Sequence, residues 1–313
     1  MKKVLLLLLP LISCSAEKGP GNSYDYWADR EIFEPVYTIG QLPTDHEYGG
    51  KLKTLGQLSQ IPEISGLVES GKYPGYAWGI EDSGNPAQLD LIRLQDGKLV
   101  AQFRDTTIQN IDWEDIAAWQ DKSGKFRLAI PDIGDNNAQR GTYQLYLMDE
   151  PEFISGMDSG LHFVDFKAFR KVFVYDDLKS RDAEALFIDR ERGDFFIVSK
   201  RETRSRVFAL KAENLHNPWD TAIYCGSFPF NYVTAADLSI ERKLIIRTYT
   251  FVMVWEWVEE SNLLQVLAGT PDQLPYDGLE PQGESAAWAN QSKSYYLISE
   301  EQLNIPPTLH EWE

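Results

Sequence analysis

Three glutamates and a serine recur inside a repeated phrase, and their spacing is the first chemical signal in this 313-residue chain. Five segments open alike: Glu63-Ile-Ser65-Gly-Leu67, Asp112-Trp-Glu114-Asp-Ile116, Asp182-Ala-Glu184-Ala-Leu186, Thr234-Ala-Ala236-Asp-Leu238 and Gln282-Gly-Glu284-Ser-Ala286. Their central residues, Ser65, Glu114, Glu184, Ala236 and Glu284, lie 49, 70, 52 and 48 residues apart. Carboxylates gathered at one point repel and raise one another's pKa unless a cation intervenes. Oxygen donors without His or Cys suit a hard ion such as Ca2+, which takes about six to eight ligands. The alternatives are a wet channel of solvated acids, or acids bonded to nearby backbone N–H groups. Ala236 offers only a backbone carbonyl, with Asp237 beside it as a substitute. The residues two positions earlier, Glu63, Asp112, Asp182, Thr234 and Gln282, read as supports rather than ligands.

A second polar set follows each opening by about ten to twenty residues, at the end of a second apolar run. It comprises Asp82, Ser83 and Asn85; Asp132, Asp135 and Asn136; Lys200 and Arg201; Arg247 and Tyr249; and Glu300, with Arg140 in a following turn. Such a mixture suits a small anionic ligand, because Arg and Lys bind phosphate well. Carboxylates beside a metal also activate water. DSGN (82–85) and DIGDN (132–136) are equally good turn sequences. His46, His162, His216 and His310 lie outside all five openings, so no histidine base is evident, and Ser83 is not in a G-x-S-x-G elbow. No Walker loop, dinucleotide fingerprint or HExxH motif occurs. The residues favour a ligand- or protein-binding module. A Ca2+-dependent phosphoric ester or nucleotide hydrolase is the alternative, and it requires Asp82, Asp132, Lys200 and Arg247 to converge beside the metal.

These residues need a scaffold that returns to one axis about every 50 residues. After residue 30 there is no long apolar pattern of helical period. Short β-branched and aromatic runs alternate with turns instead, among them Tyr76–Ile80, Phe126–Ile130, Phe195–Ser199, Leu244–Thr248 and Tyr295–Ser299. A period near 50 fits four antiparallel strands plus turns, the blade of a β-propeller. The spacing predicts an all-β fold of five blades, with six as the alternative, and places an excursion within 137–170. The last repeat lacks a fourth strand, which Lys51–Leu58 or Val36–Ile39 would supply to close the ring. The aromatic run Phe251–Val258 reads as a buried strand, and the nine tryptophans as filling between blades.

EISGL, WEDIA, AEALF, ADLSI and GESAAW resemble the blade openings of the SdiA-regulated propeller family and, more distantly, those of the five-bladed calcium-activated apyrases. DSGN, DWEDIA and DIGDN resemble segments of secreted propellers related to esterase-like phytases. The resemblance spans roughly residues 60–305 in short, degenerate motifs. It implies a Ca2+ in the central tunnel, held by one residue per blade in the order Ser, Glu, Glu, Ser, Glu. Ser65, Glu114, Glu184 and Glu284 match that order, and Ala236 departs from it.

The N-terminus reads as an address. Lys2 and Lys3 precede an apolar run, Val4 to Ile12, about half as long as a membrane-spanning helix. Its end, Leu11-Ile12-Ser13-Cys14, resembles the bacterial lipobox, which makes 1–13 a signal segment, Cys14 the lipid attachment, 14–30 a tether and 31–313 the propeller. Cleavage after a small residue such as Ala16 is the alternative. Ser15 after the Cys favours the outer membrane in enterobacterial sorting, on its periplasmic or surface face. Cys225, the second of two cysteines, reads as a buried hydrophobe. A net charge of −18 argues against a nucleic-acid partner. The 43% hydrophobic, 25% charged composition is that of a folded chain rather than a disordered or polytopic membrane protein.

Overall fold

Strand-forming runs dominate the computed structural model, which describes residues 27, 29–45, 47–48, 50–154, 160–257, 261–276, 278, 280–290 and 293–313. The expected signal segment, Cys14 and nearly all of the tether lie outside the described residues. Among the described residues, twenty-one strands follow one another. The first five are β1 (Leu52–Gln57), β2 (Ile64–Glu69), β3 (Tyr76–Glu81), β4 (Gln88–Arg93) and β5 (Lys98–Arg104). Next come β6 (Ala117–Gln120), β7 (Phe126–Asp132), β8 (Tyr143–Asp149), β9 (Leu161–Phe163) and β10 (Phe169–Tyr175). They are succeeded by β11 (Ala183–Asp189), β12 (Asp194–Ser199), β13 (Arg206–Leu210) and β14 (Trp219–Ser227). Strands β15 (Val233–Leu238), β16 (Lys243–Thr248), β17 (Val252–Glu256) and β18 (Asp272–Leu274) precede β19 (Gly283–Trp288), β20 (Tyr295–Ser299) and β21 (Thr308–Trp312). A single turn of helix, Leu263–Leu267, separates β17 from β18 and is closed by an Asn262/Gln265 capping box.

Antiparallel pairing builds four-stranded units in the orders β2-β3-β4-β5, β6-β7-β8-β10, β11-β12-β13-β14, β15-β16-β17-β18 and β19-β20-β21-β1. The last unit joins the two ends of the described domain, since β1 pairs with β21 from Leu52 opposite Trp312 to Gln57 opposite Thr308. The strands that begin these units touch in a closed cycle, β2 with β6, β6 with β11, β11 with β15, β15 with β19 and β19 with β2. Sheets radiating from such a ring of inner strands make a β-propeller.

Outer edges other than that of β1 are covered at least in part, as unpaired strands are hazardous. Strand β9 lies parallel on β5, and β10 lies parallel on β14. Isolated bridges carry the segment before β1 along the rest of the β14 edge, at Phe33–Gly226, and along the edge of β18, at Thr44–Gln273. The excursion expected within 137–170 is the segment between β8 and β10 that carries β9 back to the first sheet.

Aromatic side chains fill the wedges between sheets. Trp78, Phe103, Trp113 and Tyr146 pack in one cluster, and Tyr143, Phe173, Tyr175 and Phe208 in another. Phe251–Val258 contains β17, whose Val252 to Trp255 are buried, and Cys225 is fully buried in β14.

Polar atoms stitch the inner ring. The fully buried Asp115 carboxylate accepts from the backbone N–H groups of Ile116 (2.8 Å), Leu186 (2.9 Å) and Ala236 (3.3 Å), thereby tying the approach to β6 to β11 and β15. Asp237, the substitute ligand considered from the sequence, instead accepts from Trp288 N–H at 2.9 Å. Asp115→Ala strands three buried donors, so we expect it to cost about 2–4 kcal/mol of unfolding free energy. Urea unfolding would show a lower midpoint with an unchanged m-value. Asp115→Asn, which keeps one acceptor oxygen, should lose less.

Candidate functional site

The marker residues owe their direction to bulges. Pairing skips one residue between Ile64 and Gly66, Ala183 and Ala185, Val233 and Ala235, and Gly283 and Ser285. The residues left over are Ser65, Glu184, Thr234 and Glu284. Glu114 occupies the same place, following a Trp113–Asp132 bridge just ahead of β6. A bulge leaves a side chain unpaired and re-aims it. The equivalent residue in the fourth unit is therefore Thr234, two positions before the Ala236 chosen from the sequence.

Hydrogen bonding supports this register. The Ser65 hydroxyl donates to Trp113 O at 3.2 Å and the Thr234 hydroxyl donates to Gly283 O at 2.8 Å. In both cases the acceptor immediately precedes the bulged residue of the next unit. The apparent departure at Ala236 is thus a sequence misalignment, and the five positions read Ser, Glu, Glu, Thr, Glu.

A cavity of about 190 Å3 forms where these residues meet the ends of the second strands. Its walls include Ser65, Glu114, Glu184 and Glu284 from the openings, with Asp82, Asn136, Lys200, Tyr249 and Glu300 from the second set. Arg201 and Gln282 complete the lining. Carboxylate oxygens of Asp82, Asp112 and Glu114 lie within 4.8 Å of one another, and so do those of Glu114, Asp182 and Glu184. These buried acidic groups could hold a metal ion. The sequence alone reads Asp112 and Asp182 as supports, although their fixed offset from Glu114 and Glu184 is a usable signal.

The fit to a hard cation is physical. Every donor is oxygen. Glu114 is only 6% exposed, and among the described residues its carboxylate has no hydrogen-bond donor. One oxygen of Asp112 is buried without a partner. The two acids approach closely because residue 134 is glycine: a Cβ there would collide with Glu114 Oε1 and lie 2.5 Å from Asp112 Oδ2.

The chain also supplies a cation of its own. Lys200 is 4% exposed, its Nζ is ion-paired with Glu184 Oε2, and it lies 4.6 Å from the centre of the Tyr249 ring. Burial opposes its charge, yet Glu184 and Glu284 hold its pKa well above the ordinary lysine value. Arg201 Nε donates to Asp182 Oδ2 at 2.5 Å, and its guanidinium also reaches Asn136 Oδ1.

Burial, reinforced by the charge of Glu184, pushes the Glu114 carboxyl far above the usual range. Burial and then Asp82 raise Asp112 to about 7, while burial and then Glu284 raise Glu300 to about 7. Glu284 is raised by burial despite Lys200.

Other residues expected at the mouth are committed elsewhere. Arg140 donates to Gly134 O (2.7 Å) and to Asp132 Oδ1 (2.7 Å), and Asp132 is fully buried. Asp135 accepts from Gln139 N–H, Arg140 N–H and the Tyr143 hydroxyl, which shapes the DIGDN turn. Asn85 bonds to Glu63 Oε2 at 2.7 Å. Arg247 is 1% exposed, pairs with Glu280 and donates to the carbonyls of Ser285 (2.9 Å) and Ile298 (3.2 Å). It locks β16 to β19 and β20 rather than facing the cavity. A larger cavity of about 330 Å3, lined by Glu69, Trp119, Phe126 and Arg190 among others, holds neither carboxylate group.

No protein-family model matches the chain, and no curated protein is significantly similar to it, so the likeness of the blade openings rests on short motifs alone. Solved structures with a similar fold include a luciferin-regenerating enzyme, 11% identical, with 84% of this chain and 94% of that chain covered and a TM-score of 0.43. A glucose dehydrogenase is 11% identical, with 83% and 99% covered and a TM-score of 0.45. The Myceliophteria thermophila Cps50 (Swd1) β-propeller domain is 12% identical, with 80% and 83% covered and a TM-score of 0.40. Such likenesses carry no argument about ligand or activity, and the fold assignment rests on the strand pairing.

The raised carboxyl pKa values give a signed pH dependence. Their folded values exceed the roughly 4–4.5 of an unfolded chain. The folded state therefore holds extra protons between about pH 4.5 and 7, and stability falls as pH rises through that window. Metal-free protein in EDTA should melt several degrees higher at pH 5.5 than at pH 8. Glu114→Gln puts a neutral isostere in place of one of these carboxyls, so it should weaken that pH dependence of the metal-free melting temperature.

Proposed function

We propose that this chain is a lipid-anchored binding protein of the bacterial cell envelope, a five-bladed propeller with β1 as the fourth strand of its last blade and Ca2+ in its axial cavity. The observation that carries the reading is the convergence of bulge residues on one cavity, with the Glu114 carboxylate left without a donor. Glu114, Glu184, Asp112, Asp182 and Asp82 would supply ligands, with Glu284 and the Ser65 hydroxyl on the same walls. Calcium fits because it tolerates high and irregular oxygen coordination. Bound there, it would offset part of the carboxylate charge and lower the repulsion met by an anionic ligand.

Binding is favoured over hydrolysis. Of the four residues a hydrolase would gather, Asp82 and Lys200 line the cavity, while Asp132 and Arg247 are tied to Arg140 and Glu280. The anchor is supported by the lipobox-like Leu11-Ile12-Ser13-Cys14, and the outer-membrane address by Ser15.

Calcium titration of the full chain in mild detergent, followed by thermal melting, tests the metal. Saturating Ca2+ should stabilise the wild type by about 2.7 kcal/mol at a hundredfold excess over Kd. Glu114→Gln and Glu184→Gln should abolish that response. Identical melting with and without Ca2+ would remove the metal from the account. For the anchor, Cys14→Ala should abolish labelling by radioactive palmitate and release the protein from the membrane fraction. Retained label would send us to another attachment.

A further inference from the structure

We propose that Lys200 and Arg201 form a binding site for a small oxyanion that becomes available only when the carboxylates beside them are engaged by a divalent cation. This rests on the calcium reading above and adds its regulation.

The argument begins with two residues that carry two commitments each. Glu184 is the ion-pair partner of Lys200, and Asp182 accepts from Arg201 at 2.5 Å. Glu184 and Asp182 are also the acids whose oxygens meet that of Glu114 within 4.8 Å. A carboxylate that shares its charge with a dication binds its ammonium or guanidinium partner more weakly. Both cations would then be released from the same pair of acids.

Without the dication an anion finds poor reception. Lys200 and Arg201 are neutralised, and Asp82, Glu114, Glu284 and Glu300 line the same cavity. Once the acids are engaged, the donors left facing the cavity are the Lys200 ammonium, the Arg201 fork, the Asn136 amide and the Tyr249 hydroxyl. A fork beside a point charge suits the tetrahedral oxygens of a phosphate group. A volume of about 190 Å3 admits such a group, as free phosphate or as the end of a monoester.

Coupling of this kind is reciprocal: the anion must tighten calcium by the same factor that calcium tightens the anion. Removing the internal cations also removes competitors for Glu184 and Asp182. Lys200→Gln and Arg201→Gln should therefore bind calcium more tightly, by about 3–10-fold, and lose the anion.

The test is isothermal titration and thermal melting of the full chain, with Ca2+ or EDTA, using inorganic phosphate and glycerol phosphate as probes. Phosphate should shift melting only in the presence of Ca2+ and should lower the calcium Kd about 5–50-fold. A stronger response to the ester than to free phosphate would identify a monoester as the ligand, and the reverse order would identify the free ion. Equal phosphate binding in EDTA overturns the proposal, as does a calcium response with no phosphate effect. Loss of the calcium response in Arg201→Gln, whose side chain is 44% exposed and tolerant of change, also overturns it. Absence of any calcium response in the phosphate-free arm overturns the underlying metal reading and this proposal together.

Discussion

Bringing several carboxylates to the axis of a ring of strands is electrostatically unfavourable, and much of this molecule answers that difficulty. Burial disfavours each charge, and proximity disfavours them jointly. Lys200 offsets part of the imbalance from within, Arg201 holds Asp182, and Gln282 bonds to both Glu284 and Glu300. Glu114 has only the nearby charge of Lys200 and no donor bonded to it. A buried charge without a partner is costly to stability, and sites that bind or react are where proteins carry such costs.

The backbone delivers the acids by one repeated device. Four of the inner strands are paired with their neighbour up to a bulge, and three of the bulged residues, Ser65, Glu184 and Glu284, line the cavity, so a local irregularity fixes where the chemistry stands. Two of the bulged residues are hydroxyls that bond to the next unit's carbonyl. Ser65 thus both joins the ring and lines the cavity. Asp115 and Arg247 extend the stitching, and Arg247, which the sequence offers as a ligand-binding residue, serves the frame.

Much of the fold and part of the site were legible in the chain. Ser65, Glu114, Glu184 and Glu284 were visible because a repeat near 50 residues imposes the same environment at each return. The fourth opening misled because Thr234-Ala-Ala236-Asp-Leu238 can be slid by two residues while its strand alternation is preserved, a period-2 ambiguity that only pairing with β16 removes. Asp132, Asp135, Arg140 and Arg247 were read as lining a mouth because type and position mark a polar strand end without saying which way it faces. A buried guanidinium beside Glu280 and an open one look alike in one dimension.

Local rules determined what depends on neighbours in sequence: short β-forming runs, turn-rich joints, a repeat length that suits four strands, and acids at fixed places within it. Tertiary structure decided what depends on groups far apart along the chain. It closed the ring through β1 and β21, set the register at Thr234, and brought Asp112 and Asp182 to Glu114 and Glu184. It also placed Lys200 among acids that come from different units. Distance and burial control electrostatics, and both belong to the folded chain rather than to the order of its residues.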